Sequence, residues 1–149
     1  MTYHIIYGDL FSCDTDAYLA HCISADYALG AGIAKTFEAK YHLRQQLHTQ
    51  FPKIGDKNIG RLGSAARIGK VFNLITKTQY WQKPTYTTLR SALADMRRQC
   101  EELHVQKLAM PCIGCGLDRL EWPVVEHIIQ ETFTGTAIDI IVYTTTSRI

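Results

Sequence analysis

Apolar residues in this chain follow two alternating rhythms. Short runs rich in β-branched and aromatic residues, at 3–7 (YHIIY), 18–23 (YLAHCI), 71–76 (VFNLIT), 107–111 (KLAMP) and 137–143 (AIDIIVY), predict strands. Between them the spacing lengthens to three and four. Leu89, Leu93, Met96, Cys100 and Leu103 make one stripe over 85–104, with Arg90, Asp95, Arg97, Arg98 and Glu101 largely elsewhere, which predicts a helix whose stripe is core. Ile33, Phe37 and Tyr41 predict a helix starting near 33, continued by a polar helix or irregular stretch towards Phe51-Pro52. Trp122-Pro123 opens a third helix carrying Val125, Ile128, Ile129 and Phe133. Proline suits a first turn, where its missing N–H costs little, and Gly135 ends the helix. Residues 51–69, broken by Pro52, Gly55, Gly60, Gly63 and Gly69, give no firm element. Strands alternating with helices of this length predict an α/β fold, with helices on both faces of a mostly parallel or mixed sheet.

Composition narrows the class. A chain of 149 residues with 46% hydrophobic and 20% charged positions and no linker or repeat reads as one domain able to bury a core. No stretch approaches the roughly 18 consecutive apolar residues of a membrane span, and MTYHIIYGDL lacks the features of a secretory signal. The expectation is a soluble, intracellular and cytoplasmic protein with no membrane partner. An odd number of cysteines, 5, without an export signal argues for reduced thiols at Cys13, Cys22, Cys100, Cys112 and Cys115. A formal charge of +2, with basic residues scattered, disfavours tight binding along a nucleic-acid backbone but leaves a small anionic ligand open.

Ligands of such sheets sit where strand ends lead into helices. Two loops have this form: SADYALGAGIAK (24–35), in which Gly30 and Gly32 precede a helix, and IGCGLDRL (113–120), which precedes the helix at Trp122. Glycines let backbone approach a ligand and helix starts offer free N–H groups, so the pair suits a diphosphate. Two standard nucleotide motifs are tested by the glycines of the chain and both fail. Lys35 stands where the dinucleotide fingerprint has its third glycine, and Gly63 to Lys70 has the wrong spacing for a phosphate loop, with Val71 after the lysine. The plain alternative is that each glycine serves a turn or cap. A lone Cys112-x-x-Cys115 is short of the ligands zinc needs and is embedded in a loop, so packed thiols and no metal are expected. His21 reads as a core or hydrogen-bonded histidine.

The ordered set GDLF (8–11), LAHCIS (19–24), GAGIA (30–34), LITK (74–77), KPTY (83–86), IGCGLDRL (113–120) with Trp122, and VYT (142–144) resembles a macrodomain. Covering about residues 7–144, it is most similar to the lysine-dependent branch of terminal ADP-ribose protein glycohydrolases. The resemblance implies a single three-layer α/β/α macrodomain over 1–149, with a mixed central sheet flanked by helices. It also implies a monomer that binds ADP-ribose and needs no cofactor. By position, Asp9 and Leu10 meet the adenine, the carboxylate accepting from the exocyclic amine, and Tyr143 borders the adenine pocket. Gly30, Ala31, Gly32 and Ile33, with Gly114, Cys115, Gly116 and Leu117, hold the diphosphate and distal ribose; Ser24 lies near that ribose. Where many macrodomains carry an asparagine-rich motif this sequence has His21-Cys22-Ile23-Ser24, and at Cys112 related sequences have a bulkier, basic residue.

For chemistry the resemblance points to Lys77 as nucleophile and Asp118 as acid/base. An amine attacks the anomeric carbon of an ADP-ribosyl ester once the sugar reaches its aldehyde form, and a carboxylate moves protons on the hydroxyls and helps water release the product. Without the resemblance, Lys77 is a solvated strand-end charge and Asp118 a cap or turn residue. The implied activity is removal of mono-ADP-ribose from acidic side chains of proteins. Alternatives are hydrolysis of O-acetyl-ADP-ribose, ADP-ribose 1″-phosphate or ADP-ribosylated DNA or RNA ends, and a non-catalytic reader of ADP-ribose marks.

Overall fold

The structure, a computed structural model, describes residues 1–145. Its strands are β1 (Thr2–Tyr7), β2 (Tyr18–Ser24), β3 (Ala65–Ile68), β4 (Val71–Lys77), β5 (Lys107–Pro111) and β6 (Asp139–Thr144), and its helices α1 (Gly32–Tyr41), α2 (Leu43–Gln50), α3 (Tyr86–Leu103) and α4 (Trp122–Phe133). The strands form a 6-stranded sheet in the order β1-β6-β5-β2-β4-β3, all parallel except β3, which runs antiparallel to β4. This is the mixed three-layer fold expected from the sequence.

Each layer follows from alternation along the central strands. On β4, Val71 and Ile75 face the layer of α1 and α2, where Phe37, Leu43 and Leu47 are buried, while Phe72 and Leu74 face α3 and α4. Both sheet faces are covered, so the run VFNLIT is apolar without a solvent side. On α3 the stripe of Leu89, Leu93, Met96 and Cys100 is buried as expected, but Leu103, the last residue of the helix, is 39% exposed. On α1 only Phe37 is buried; Ile33 and Tyr41 are each 37% exposed, so the apolar spacing continues beyond the core at both ends of the helix.

The short strand β3 lies in the stretch that the sequence left without an element. Its residues AARI have little strand propensity of their own; the strand exists through its pairing with β4 and through α3, where Asp95 accepts from the Ala65 N–H (2.8 Å) and Gln99 donates to the Ala65 carbonyl (2.7 Å). After β2 the chain moves to β3 and β4 on one side of the sheet, and after β5 it moves to β6 on the other. The crevice beyond the carboxyl ends of β2 and β5 is therefore the switch point where open α/β sheets bind ligands.

Candidate active site

A cleft of about 790 Å³ opens at that switch point, lined by the loop after β2, the end of β4 and the loop after β5. A second cleft of about 360 Å³ adjoins it, and Ile33, Pro111, Cys112 and Gly116 line both. Ser24, Gly30, Ala31, Gly32, Ile33, Lys77, Gly114, Leu117 and Asp118 lie on the first; Asp9, Leu10, Cys115 and Tyr143 lie on the second. The fold thus brings all the site residues expected from the sequence to one continuous groove.

At the floor of the larger cleft Lys77 Nζ donates to Asp118 Oδ1 at 2.6 Å, with the two side chains only 14% and 15% exposed. Lys77 is paired rather than a solvated charge, and Asp118 lies in a turn but is not the helix cap, which is Glu121. Lys77 is the last residue of β4 and is fixed from both sides. Its carbonyl accepts from the Ala25 N–H (2.8 Å), and the preceding carbonyl, of Thr76, accepts from the Thr88 hydroxyl (2.5 Å). A register shift between Ile23 and Ser24 sets Ser24 opposite Lys77.

The loop after β2 is organised around Asp26. One oxygen of this carboxylate accepts from the Ser24 hydroxyl (2.5 Å) and the Ala28 N–H (3.1 Å), and the other from the Tyr80 N–H (2.9 Å). Arg44 braces the same loop through the carbonyls of Tyr27 and Ala28. The loop delivers the chain to the start of α1, whose cap residue, Ala31, supplies no side-chain hydrogen bond. The first N–H groups of that helix are accordingly left for a ligand on the cleft side.

On the loop after β5, Gly114 sits at φ +74°, and a Cβ there would come within 2.9 Å of Leu120. Its carbonyl accepts from the Leu120 N–H (2.7 Å), closing the turn that presents Gly116, Leu117 and Asp118 to the cleft. Beneath it, burial pushes the thiols of Cys22 and Cys115 up to about 12, and the Asp118 charge adds to the effect in both. They are packed neutral thiols rather than thiolates. His21 lies on the opposite sheet face, stacked on Phe37 at 3.9 Å, and its Nε2–H donates to Asn73 Oδ1 (2.6 Å). Burial pulls this imidazole down to about 4, so it is a neutral core residue.

Residues 20–129 match the family model described as Macro domain. The chain belongs to the macrodomain family. It is 45% identical to the "ADP-ribose glycohydrolase OARD1" of Bos taurus over 92% of this chain and 88% of that protein. It is 28% identical to the "DNA ADP-ribosyl glycohydrolase" of Thermus aquaticus over 83% of this chain and 36% of that longer protein. Among solved structures, the "Macrodomain of Mycobacterium tuberculosis DarG" superposes with a TM-score of 0.81 at 22% identity, covering 95% of this chain and 97% of the other.

At the far end of the macrodomain groove, Asp9 caps a 3-10 turn at Leu10–Ser12 by accepting from the Phe11 N–H (3.0 Å), which orients its exposed carboxylate beside the second cleft. Leu10 is buried beneath it and Tyr143 is half-buried at the end of β6. Sequence reasoning did not place five further residues that brace or line this groove. Asp26 ties the walls together, Cys112 lies at the junction of the clefts, and Tyr80, Trp81 and Gln82 line the larger cleft from the β4–α3 connection. The available signal was an aromatic pair, Tyr80-Trp81, inside an otherwise polar stretch directly after Lys77.

Proposed function

We propose that this macrodomain is an ADP-ribosyl glycohydrolase in which Lys77 is the nucleophile and Asp118 the acid/base. The observation that carries the reading is the 2.6 Å contact between these two poorly exposed side chains, at the floor of a cleft whose walls are glycine loops suited to a diphosphate. The names of the curated relatives support the same activity. With adenine beside Asp9 and Tyr143 and the diphosphate at residues 30–33 and 114–117, the distal ribose carries its anomeric carbon, C1″, to Lys77.

Chemistry then runs in two steps. As the Lys77 nitrogen bonds to C1″, its proton passes to Asp118, and the bond from C1″ to the leaving oxygen or nitrogen breaks with its electron pair going to the departing group. Asp118 gives that proton to the ring oxygen as the sugar ring opens to an iminium on Lys77, which returns the carboxylate. The carboxylate then takes a proton from water as that water adds to C1″ and passes it to the nitrogen as the amine leaves, giving free ADP-ribose, an unmodified lysine and one proton released to solvent. A pure reader of ADP-ribose marks has no use for such a pair.

Esters of protein Glu and Asp are the first substrate class, because a carboxylate departs without needing a proton and one acid/base residue suffices. The second is ADP-ribose attached to a nucleic-acid base, favoured by the exposed aromatic pair beside Lys77 and by the name of the Thermus aquaticus relative. Release of ADP-ribose from glutamate-modified protein and from ADP-ribosylated single-stranded DNA, measured side by side, tests the activity. Borohydride trapping followed by mass spectrometry should find the sugar on Lys77. Binding without release from either substrate would overturn the proposal in favour of a reader.

A further inference from the structure

We infer that the open edge of β1 is a self-association surface: two copies of this chain pair their β1 strands antiparallel about a two-fold axis at Ile5, joining the two sheets into one.

β1 ends the sheet, with β6 on one side and, among the described residues, no strand on the other. The Thr2 N–H donates to the Ile138 carbonyl (3.1 Å) and the Gly8 N–H to the Thr144 carbonyl (2.9 Å). Backbone groups of alternate residues point to opposite sides of a strand. Thr2, His4, Ile6 and Gly8 therefore serve β6, while the N–H and carbonyl of Tyr3, Ile5 and Tyr7 face outward. An uncovered edge of this kind is a template for another strand unless it is blunted. The edge at the other end of the sheet is blunted: β3 has only 4 residues, it carries Arg67, and α3 side chains occupy the N–H and carbonyl of Ala65. β1 has none of these devices. Its 6 residues, TYHIIY, include no Lys, Arg, Asp, Glu or Pro, and the consecutive side chains of Ile5, Ile6 and Tyr7 are 43%, 41% and 70% exposed.

The strand is complementary to itself. With the axis at Ile5, this residue faces the partner's Ile5 and exchanges both backbone bonds with it, and Tyr3 faces the partner's Tyr7 in the same way. Every outward donor then meets an outward acceptor. An axis at His4 or Ile6 instead leaves Tyr7 or Tyr3 of each copy without its counterpart. Side chains agree with the backbone, since His4 falls opposite the partner's Ile6 and no like charges are opposed. Because the pairing uses up both open edges and β3 is blunted, the assembly closes at a dimer. A single strand pair lies at the small end of specific interfaces, which bury about 1,200 Å² or more in total, so the dimer is weak, with a Kd on the order of 10–100 µM. The monomer implied by the sequence resemblance is then the dilute form.

Sedimentation equilibrium from about 5 µM to about 1 mM should show monomer passing to dimer and nothing larger. Over the same range, amide hydrogen exchange followed by NMR should slow several-fold at Tyr3, Ile5 and Tyr7, while His4 and Ile6, already bonded to β6, stay unchanged. Ile5→Lys and Ile5→Glu each place like charges face to face on the axis. Either should weaken dimerisation by about tenfold or more, and an equimolar mixture of the two should recover roughly tenfold over either alone. The substituted side chain is half-exposed and lies outside both clefts, and thermal unfolding of the dilute variants checks that they fold. If either does not, the exchange pattern of the unsubstituted protein decides. A monomer at every concentration, or species that keep growing beyond a dimer, overturns the proposal. So does a dimer that survives both charge substitutions, which would place the interface elsewhere, or a mixture that recovers nothing, which would move the axis away from Ile5.

Discussion

Lys77 and Asp118 meet at 2.6 Å across the groove, joining the end of β4 to the loop after β5 in a contact that water scarcely reaches. Replacing the amine should separate binding from chemistry, because the proposed diphosphate site is backbone of the glycine loops, away from Lys77. Lys77→Ala is expected to lower turnover by on the order of 1,000-fold or more and to change ADP-ribose affinity by no more than a few-fold, read by product release and calorimetry. Full activity in that variant would remove lysine from the mechanism.

The same pair predicts a stability signature. Taking away one partner of a poorly exposed ion pair strands the other charge, at a cost of about 3 kcal/mol, whereas replacing both by apolar residues of similar size costs much less. In thermal unfolding, Lys77→Met and Asp118→Leu should each lower the Tm by more than the double variant does. Simple additivity of the two losses would mean that the contact carries no coupling energy.

Much of this was legible in the sequence, and the reasons differ by element. The stripe on α3 could be read because its residues repeat against one wall, and β4 because both of its faces are covered. The glycine loops and Lys77 were legible as motifs whose spacing the switch-point topology converts into proximity. β3 was not, since Ala65 and Ala66 owe their strand conformation to β4, Asp95 and Gln99, partners distant in the chain. Asp26 was equally hidden: its importance comes from reaching Tyr80, and no local pattern announces a contact across 54 positions.

Acid should weaken the protein through His21. Its ordinary value of 6.5 is pulled down to about 4 in the folded state, so between those values the unfolded chain binds a proton that the folded one refuses. The contribution is complete above pH 6.5 and is lost as pH falls towards 4, up to about 3 kcal/mol. Urea unfolding at pH 7 and pH 4.5 should reveal this slope, and His21→Gln should flatten it. An unchanged slope would place the acid sensitivity in other groups.

Gly114→Ala should damage the site and the fold together. Its φ of +74° and the 2.9 Å approach to Leu120 force the loop to shift, costing about 1–2 kcal/mol and lowering ADP-ribose affinity by roughly tenfold. Gly69→Ala is the matched control: φ is also positive, at +57°, but the added carbon meets nothing and the turn lies outside both clefts. It should lose stability and keep its affinity. Equal affinity loss in both variants would indicate a general loosening of the fold.

The cysteines should resist alkylation. With Cys22, Cys100 and Cys115 pushed up to about 12 by burial, iodoacetamide at pH 8 should leave these three intact in the native protein and modify all 5 cysteines in urea. Rapid native labelling at Cys22 or Cys115 would mean that the loop opens readily.

The hydroxyl of Thr88 joins the first turn of α3 to the carbonyl of Thr76, and the Ala25 N–H holds the carbonyl of Lys77. Those anchors set Lys77 without using any side chain from residues 78–84. The β4–α3 connection can therefore be rewritten residue by residue while Lys77 keeps its place, so that the wall of the cleft and the position of the lysine at its floor can diverge separately on this scaffold.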